Sequence, residues 1–230
     1  MTESDERDNP LDRRPIRSRS TNWAGTLAAA VVRTGVSPNA ISMIGMLAGI
    51  GAGLLMALTG RVESETARRL IWIAAAACIQ LRLLCNMLDG MVALATGKAS
   101  RLGELFNDVP DRVADAAILI GAGFAVGSNA ALGYIAALFA VSTAYVRTLG
   151  KSLGAPSDFC GPMAKPQRMC FITLGALYIG LAPATWRPAW GPGEAWGVMA
   201  GVLVLIVAGT AFTVARRLWR IGRALQGREP

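Results

Sequence analysis

The chain has no histidine and only four cysteines, Cys78, Cys85, Cys160 and Cys170, none of them in a close metal-type pair. That argues against a zinc centre built from nitrogen and sulfur ligands, and the cysteines read as small buried hydrophobes. Charge is also scarce: 17% of the 230 residues are charged and 53% are hydrophobic, a balance well to the apolar side of a soluble domain. The first twenty residues, MTESDERDNPLDRRPIRSRS, mix acids with arginines and lack any apolar core, so they are neither a cleaved signal nor a span. They read as a disordered cytoplasmic tail. The sequence shows no internal repeat and, beyond that tail, no low-complexity tract.

What is present is apolar sequence in long runs. Six are long enough for a bilayer, at roughly 39–59, 70–95, 109–127, 130–149, 169–186 and 196–219. The expectation is an all-α polytopic membrane protein with six transmembrane helices and no separate soluble domain. Residues 1–20 form the tail, 21–220 a single membrane domain, and 221–230 a cytoplasmic C-terminal tail. Six crossings put both ends on one side. The basic residues choose the side: Arg13, Arg14, Arg17, Arg19 and Arg33 precede the first run, Lys98 and Arg101 join the second to the third, Arg147, Lys151, Lys165 and Arg168 flank the fourth connection, and Arg216, Arg217, Arg220, Arg223 and Arg228 close the chain. The other side carries Arg61, Arg68, Arg69 and Arg187. By the positive-inside rule both termini face the cytoplasm, and the protein is integral to the cytoplasmic membrane. The net charge of +8 then needs no nucleic acid, because topology and anionic lipid headgroups account for it.

Local signals add detail. In TNWAGTLAAAVVRT, residues 21–34, Trp23, Leu27 and Val31 fall four apart, the pattern of an amphipathic helix lying along a membrane interface. The segment GVSP, residues 35–38, breaks that helix, and Ser37 and Asn39 stand where the next helix needs a cap. Gly45, Gly49 and Gly53 repeat every fourth residue, which permits close helix packing. Trp186, Trp190 and Trp196 gather with Pro183, Pro188 and Pro192 between the last two runs as an outer interface belt.

Polar residues interrupt this apolar background in one place. At 100° per residue, Arg82, Asn86, Asp89, Gly90, Ala93 and Gly97 share one side of a helix, and Glu104, Asn107, Asp108, Asp111 and Asp115 share one side of the next. A bare carboxylate inside a bilayer costs at least about 2.5 kcal/mol, so it must be neutralised, hydrated or bound to a cation. Several oxygen ligands together suit magnesium or manganese shared with substrate phosphates. Gly90 and Gly103 let a nucleotide approach the backbone. A salt bridge of Asp89 or Asp111 with Arg82 or Arg112 is the alternative without function, and for Asp108 and Asp115 a solvated or helix-start role stands equally open.

The segment NMLDGMVALATGKASRLGELFNDVPD resembles the signature of the CDP-alcohol phosphatidyltransferase family, DxxDGxxAR, eight residues, then GxxxDxxxD. Without gaps, Asp89, Gly90, Ala93, Gly103 and Asp111 match it, while Asn86 and Asn107 stand where the family has aspartates and Leu94 where it has arginine. The six-run count, the SPNAIS entry to the first run and the basic loop after the fourth are also similar to the family, over roughly residues 20–220. The resemblance implies a membrane transferase in phospholipid synthesis: two divalent ions, Mg2+ or Mn2+, hold the diphosphate of a CDP-alcohol such as CDP-diacylglycerol, a hydroxyl attacks the phosphorus bearing the lipid, and CMP leaves. By position it implies metal ligation by Asn86, Asp89, Asn107 and Asp111, with Asp111 alternatively the general base, and room for the nucleotide at Gly90, Ala93 and Gly103.

Around those matches, Asp108 is a further candidate ligand, with Glu104 and Asp115 in reserve, and Arg82 is a candidate for a nucleotide phosphate. Arg147, Lys151, Lys165 and Arg168 are candidates for an acceptor phosphate, or for lipid contact at the inner surface. The acceptor is a small hydroxyl compound, and the basic loop leans toward a phosphorylated one. The glycine stripe and the resemblance are compatible with a homodimer. Two amides in place of carboxylates keep a second class open, a family member acting as a lipid- or nucleotide-binding or scaffold subunit. A cation transporter is a third, without support from broken helices or paired halves.

Overall fold

The computed structural model describes residues 21–97, 101–155, 161–191, 193 and 195–226, with Arg101, Leu102 and Glu104 described by backbone alone. The expected tail at 1–20, Lys98, Asp158, Cys160, Arg228 and the side chain of Glu104 lie outside this description.

Helix α1 (Asn22–Arg33) ends at Thr34, and Gly35 follows in the left-handed region at φ 73°, where a side chain is disfavoured. Helix α2 (Pro38–Leu58) starts as its sequence directs: Ser37 is the N-cap, its hydroxyl accepting from the Ala40 amide at 3.2 Å, with Pro38 at the first helical position. Ser64 caps α3 (Glu65–Ala95) in the same way, and the helix gives out at Thr96 before Gly97 at φ 64°. Helix α4 (Arg101–Gly123) runs through Pro110. Asn129 accepts from the amides of Ala131 and Leu132 to open α5 (Ala130–Ser152). Helix α6 (Lys165–Leu181) stops two residues before Pro183, and α7 (Val198–Gln226) runs well past the expected end of its apolar run. Between α6 and α7, Trp190 and Trp196 exchange backbone hydrogen bonds and stack edge to face at 5.1 Å.

The helices close a ring in the order α2, α3, α6, α7, α5, α4, with α1 laid against α3. Small residues let the members approach. A methyl group added to Gly49 would lie 2.6 Å from Ala114 Cβ on α4, and one added to Gly45 would lie 2.9 Å from Cys85 Cβ on α3. The glycine stripe therefore packs inside the chain and presents no face of its own to a second copy. The core between the helices holds Met56, Trp72, Ile79, Ile118, Met169 and Leu203. The outside is also apolar: Leu47, Leu138 and Leu181 are 62%, 66% and 67% exposed. Large apolar side chains on both the inner and outer surfaces suit a bilayer, not water. Among the described residues four helices are long and apolar enough to cross one: α2 extended through Arg61, α3, α5 and α7. Among the described residues there is no strand, and the chain is an all-helical membrane protein.

On α1 the buried residues are Ala24 and Ala28, packed toward Leu88 and Val92 of α3, while Trp23 is exposed and borders the large cavity described below. Cys85 is buried as expected, whereas Cys170 is exposed.

Candidate active site

The two polar helix faces meet. The second half of α3 lies beside the first half of α4, and the Asn86 Nδ2 donates to Asn107 Oδ1 at 3.1 Å across the gap. Asp89 is buried, its Oδ1 accepting from the Gly90 amide and its Oδ2 from the Ser42 hydroxyl of α2, each at 2.6 Å. Asp111 is held by two cations. Its Oδ1 accepts from Arg82 Nη2 at 3.1 Å, and its Oδ2 takes a very short bond from Lys165 Nζ, which also donates to Asn86 Oδ1 at 2.8 Å.

From Arg82 the ionic chain runs deeper. The same Nη2 donates to Asp115 Oδ1 at 2.6 Å, and Asp115 Oδ2 accepts from Arg168 Nη2 at 3.3 Å. Arg168 reaches Thr143 Oγ1 at 3.4 Å and the Met163 carbonyl at 3.2 Å, and Arg217 of α7 donates to the Thr143 carbonyl at 2.7 Å. This alternation of charges ties α3, α4, α5, α6 and α7 together at one end of the ring. Arg82, Asp115 and Arg168 are all essentially buried, where charges persist only when paired and hydrogen-bonded.

Two cavities adjoin this cluster. The larger, about 720 Å³, opens between the helix ends and is bordered by Asn86, Asp108, Asp111, Arg112, Arg147 and Lys165 among others, with Trp23, Leu81 and Leu84 supplying apolar wall. The smaller, about 10 Å³, is bordered by Ser42, Arg82, Asn86, Asp89, Asn107 and Asp111. That is room for about one water-sized sphere. Asn86, Asn107 and Asp111 border both cavities.

The structure thus assembles Arg82, Asn86, Asp89, Asn107 and Asp111 and sorts the other candidates differently. Arg82 pairs with Asp111 and Asp115, not with Asp89. Asp108, a further candidate ligand, borders the larger cavity and pairs with Arg112 at 2.7 Å and, more loosely, Arg147 at 3.8 Å. Gly90, Ala93 and Gly103 are half-buried on their helices and border neither cavity. Lys151 is exposed and stands off the larger cavity, which Arg147 does border. Lys165 and Arg168 turn inward onto Asp111 and Asp115. Ser42, Thr143 and Arg217 escaped the sequence reading as site residues. Ser42 had a signal, since it lies one turn after the Ser37 cap on the face of Gly45 and Gly49, but Thr143 and Arg217 meet only through tertiary packing.

The donor set suits an oxygen-liking dication. Asn86, Asp89, Asn107 and Asp111 border one space of ionic size, and magnesium is commonly held by only one or two carboxylates. Among the described residues no three His, Cys, Asp or Glu side chains gather as a metal-binding group. Arg82, moreover, is buried there with Nε and Nη1 lacking a protein acceptor.

No family model matches the chain. The phosphatidylinositol phosphate synthase of Mycobacteroides abscessus is 30% identical over 200 residues, which cover 84% of this chain and 80% of that protein. In fold, the chain resembles the crystal structure of Mycobacterium tuberculosis phosphatidylinositol phosphate synthase with CDP-DAG bound, at TM-score 0.72 and 18% identity over 91% of this chain and 98% of that one. It also resembles the structure of that enzyme in complex with manganese and citrate, at TM-score 0.69 and 20% identity over 90% and 92%. Sequence likeness across most of both proteins, a shared helical fold and a motif that closes into a polar site together establish that the chain belongs to the CDP-alcohol phosphatidyltransferase family, the membrane transferases of phospholipid synthesis that move a substituted phosphate from a CDP-alcohol to a hydroxyl with release of CMP.

Proposed function

We propose that the chain transfers the phosphatidyl group of CDP-diacylglycerol to the hydroxyl of a phosphorylated polyol, inositol phosphate in the first instance, at the cytoplasmic face of the membrane. The observation that carries this is the position of Asp111 at the junction of the two cavities: one side is an ion-sized space bordered by Ser42, Asn86, Asp89 and Asn107, the other a substrate-sized space bordered by Arg112, Arg147 and Lys165. The relatives support the donor and acceptor through what they are, a phosphatidylinositol phosphate synthase and a structure of one with CDP-DAG bound.

In this reading α4 and α6 complete six crossings with α2, α3, α5 and α7, and α1 lies along the inner interface as an amphipathic helix. Residues 21–220 act as one membrane domain, and the excess of arginine and lysine on the side of the cavity mouth directs both termini and the site to the cytoplasm. Trp23, Leu81 and Leu84 offer the apolar wall that acyl chains need.

A divalent ion, Mg2+ or Mn2+, would be held by Asp89, Asp111 and the amide oxygens of Asn86 and Asn107, and when bound supplies charge stabilisation to the diphosphate. The chain's own groups do the rest. Asp111 accepts the proton of the acceptor hydroxyl as the new oxygen–phosphorus bond forms. The bond from that phosphorus to the bridging oxygen breaks, and CMP departs with the electron pair. Lys165 is close enough to Asp111 to stabilise charge developing on the phosphoryl oxygens. Ser42 and the Gly90 amide hold Asp89 in one orientation, and Arg112 and Arg147 place positive charge in the wall where the acceptor phosphate would lie.

The test is CMP release by purified protein with CDP-diacylglycerol, magnesium or manganese, and a panel of inositol phosphate, glycerol phosphate, free inositol and serine. Release with a phosphorylated acceptor, matched by lipid product mass and abolished by Asp111→Ala, is expected. Release with serine or free inositol alone would refute the acceptor class, and undiminished release by Asp111→Ala would refute the role of Asp111.

A further inference from the structure

The cluster around Asp111 is charge-balanced by the protein itself. Arg82, Lys165 and Arg168 bring three positive charges and Asp111 and Asp115 two negative ones within one connected set of contacts, and Asp89 adds a third carboxylate bordering the same small cavity. Two positions of the motif are amides that contribute no charge, and these two bond to each other at 3.1 Å. The ammonium of Lys165 touches Asp111 Oδ2 and Asn86 Oδ1 at once. It therefore bridges an oxygen on α3 and an oxygen on α4, both from residues that would hold a divalent ion.

Centres with two dications hold them about 3.5–4 Å apart across shared ligands. Such a pair here would set four positive charges against Asp89 and Asp111, with Arg82 and Lys165 already in contact with Asp111. The space bordered by the four motif residues has room for about one small sphere. We infer that Lys165 stands in the place of one cation, so that the site takes a single divalent ion, in the small cavity beside Asp89, and the ammonium competes with that ion for Asp111. The inference rests on the transferase reading of the same site, but concerns how many ions bind and what opposes them.

The experiment is a titration of the purified full-length protein in detergent with Mn2+ alone, free ion being read from its electron paramagnetic resonance signal, with CMP release measured separately. The wild type is expected to saturate at one ion per chain. Lys165→Met removes a positive charge in contact with a ligand carboxylate and is expected to tighten binding at least about tenfold, whereas Lys165→Arg stays near the wild type. Asn107→Asp, which leaves Lys165 in place and adds a carboxylate to the small cavity, serves as a second variant and is expected to tighten binding with the stoichiometry still one. Two ions bound by the wild type, none bound by it, or unchanged affinity in both Lys165→Met and Asn107→Asp would overturn the inference. One ion bound without CMP release from any acceptor counts against the transferase reading alone. Two ions bound with CMP release intact counts against the single-ion inference alone.

Discussion

Replacing Asp115 by asparagine isolates the contribution of buried charge from that of shape. Asp115 is 2% exposed and lies between two guanidiniums that are themselves 1% and 2% exposed, Arg82 at 2.6 Å and Arg168 at 3.3 Å. Asparagine fills the same volume, so packing is preserved, but its amide nitrogen cannot accept and its oxygen carries no net charge. Neutralising one member of a buried pair costs about 3–5 kcal/mol, because the partner is left buried without compensation. Arg82 keeps Asp111 at 3.1 Å, which places the expected loss near the lower end, about 3 kcal/mol. At roughly 2–4 °C per kcal/mol for a chain of this size, the melting temperature should fall by about 6–12 °C. Far-ultraviolet circular dichroism of detergent-solubilised protein reads this directly. Arg168→Met in the same background removes the stranded cation, so the double variant should melt above Asp115→Asn alone, and the cycle should show coupling of at least about 0.5 kcal/mol. A melt of Asp115→Asn within about 2 °C of the wild type, with no coupling to Arg168, would mean that the ionic chain does not hold these helices together.

Three further outcomes follow from single contacts. Gly53→Ala drives a methyl group into the backbone of α4 at Ala117, where nothing flexible can yield, so stability should fall by about 1–3 kcal/mol in the same melt. Ser42→Ala removes the hydroxyl that donates to Asp89 at 2.6 Å. Hydrogen bonds to charged groups are worth about 1.5–3 kcal/mol, so both the melting temperature and CMP release should drop, and a variant unchanged in both would show that Asp89 needs no anchor on α2. Arg147→Ala should raise KM for a phosphorylated acceptor by about tenfold, the loss of one charge-assisted contact of roughly 1.4 kcal/mol, with KM for CDP-diacylglycerol little changed; steady-state kinetics with each substrate varied in turn distinguishes the two.

The helices that cross most of the apolar thickness were legible because their signals are local. Ser37 and Pro38 open α2, Gly35 and Gly97 close α1 and α3, and Asn129 opens α5, each acting within a few residues of the boundary it sets. Apolar runs marked α4 and α6 less well. The run at 109–127 begins eight residues after α4 does, because the start of that helix carries Asn107 and Asp108, which border the larger cavity and which a hydropathy window scores as polar. At the other end, the run drawn to 186 outlasts α6, which stops at Leu181 ahead of Pro183. Helical periodicity also foretold that Asn86, Asp89, Asn107 and Asp111 would face one another, since a short connection between two helices leaves their polar sides little choice but to meet. It was silent on Lys165, Arg168, Thr143 and Arg217. Lys165 and Arg168 reach Asp111 and Asp115 from α6, with Thr143 of α5 beside Arg168 and Arg217 of α7 on the Thr143 carbonyl, and nothing in the spacing along one helix specifies which distant cation will arrive.

That silence bears on the two asparagines. Read along the chain, Asn86 and Asn107 look like losses, two carboxylates missing from a motif that uses them to gather cations. Read across the helices, they belong to one charge balance with Arg82 and Lys165. Aspartates at both positions would give the connected set four negative charges against three positive ones, with Asp89 beside it, and would set two carboxylates 3.1 Å apart in place of an amide pair that bonds to itself. Like charges that close cannot both stay ionised without a cation between them. The amides instead let the site form with protein cations alone, and Lys165, reaching from the start of α6, bridges α3 and α4 through Asn86 and Asp111. The amides and the lysine are therefore one feature. Restoring the aspartates while Lys165 stays in place should not recreate a two-ion centre, because the ammonium would still hold the oxygens that the second ion requires.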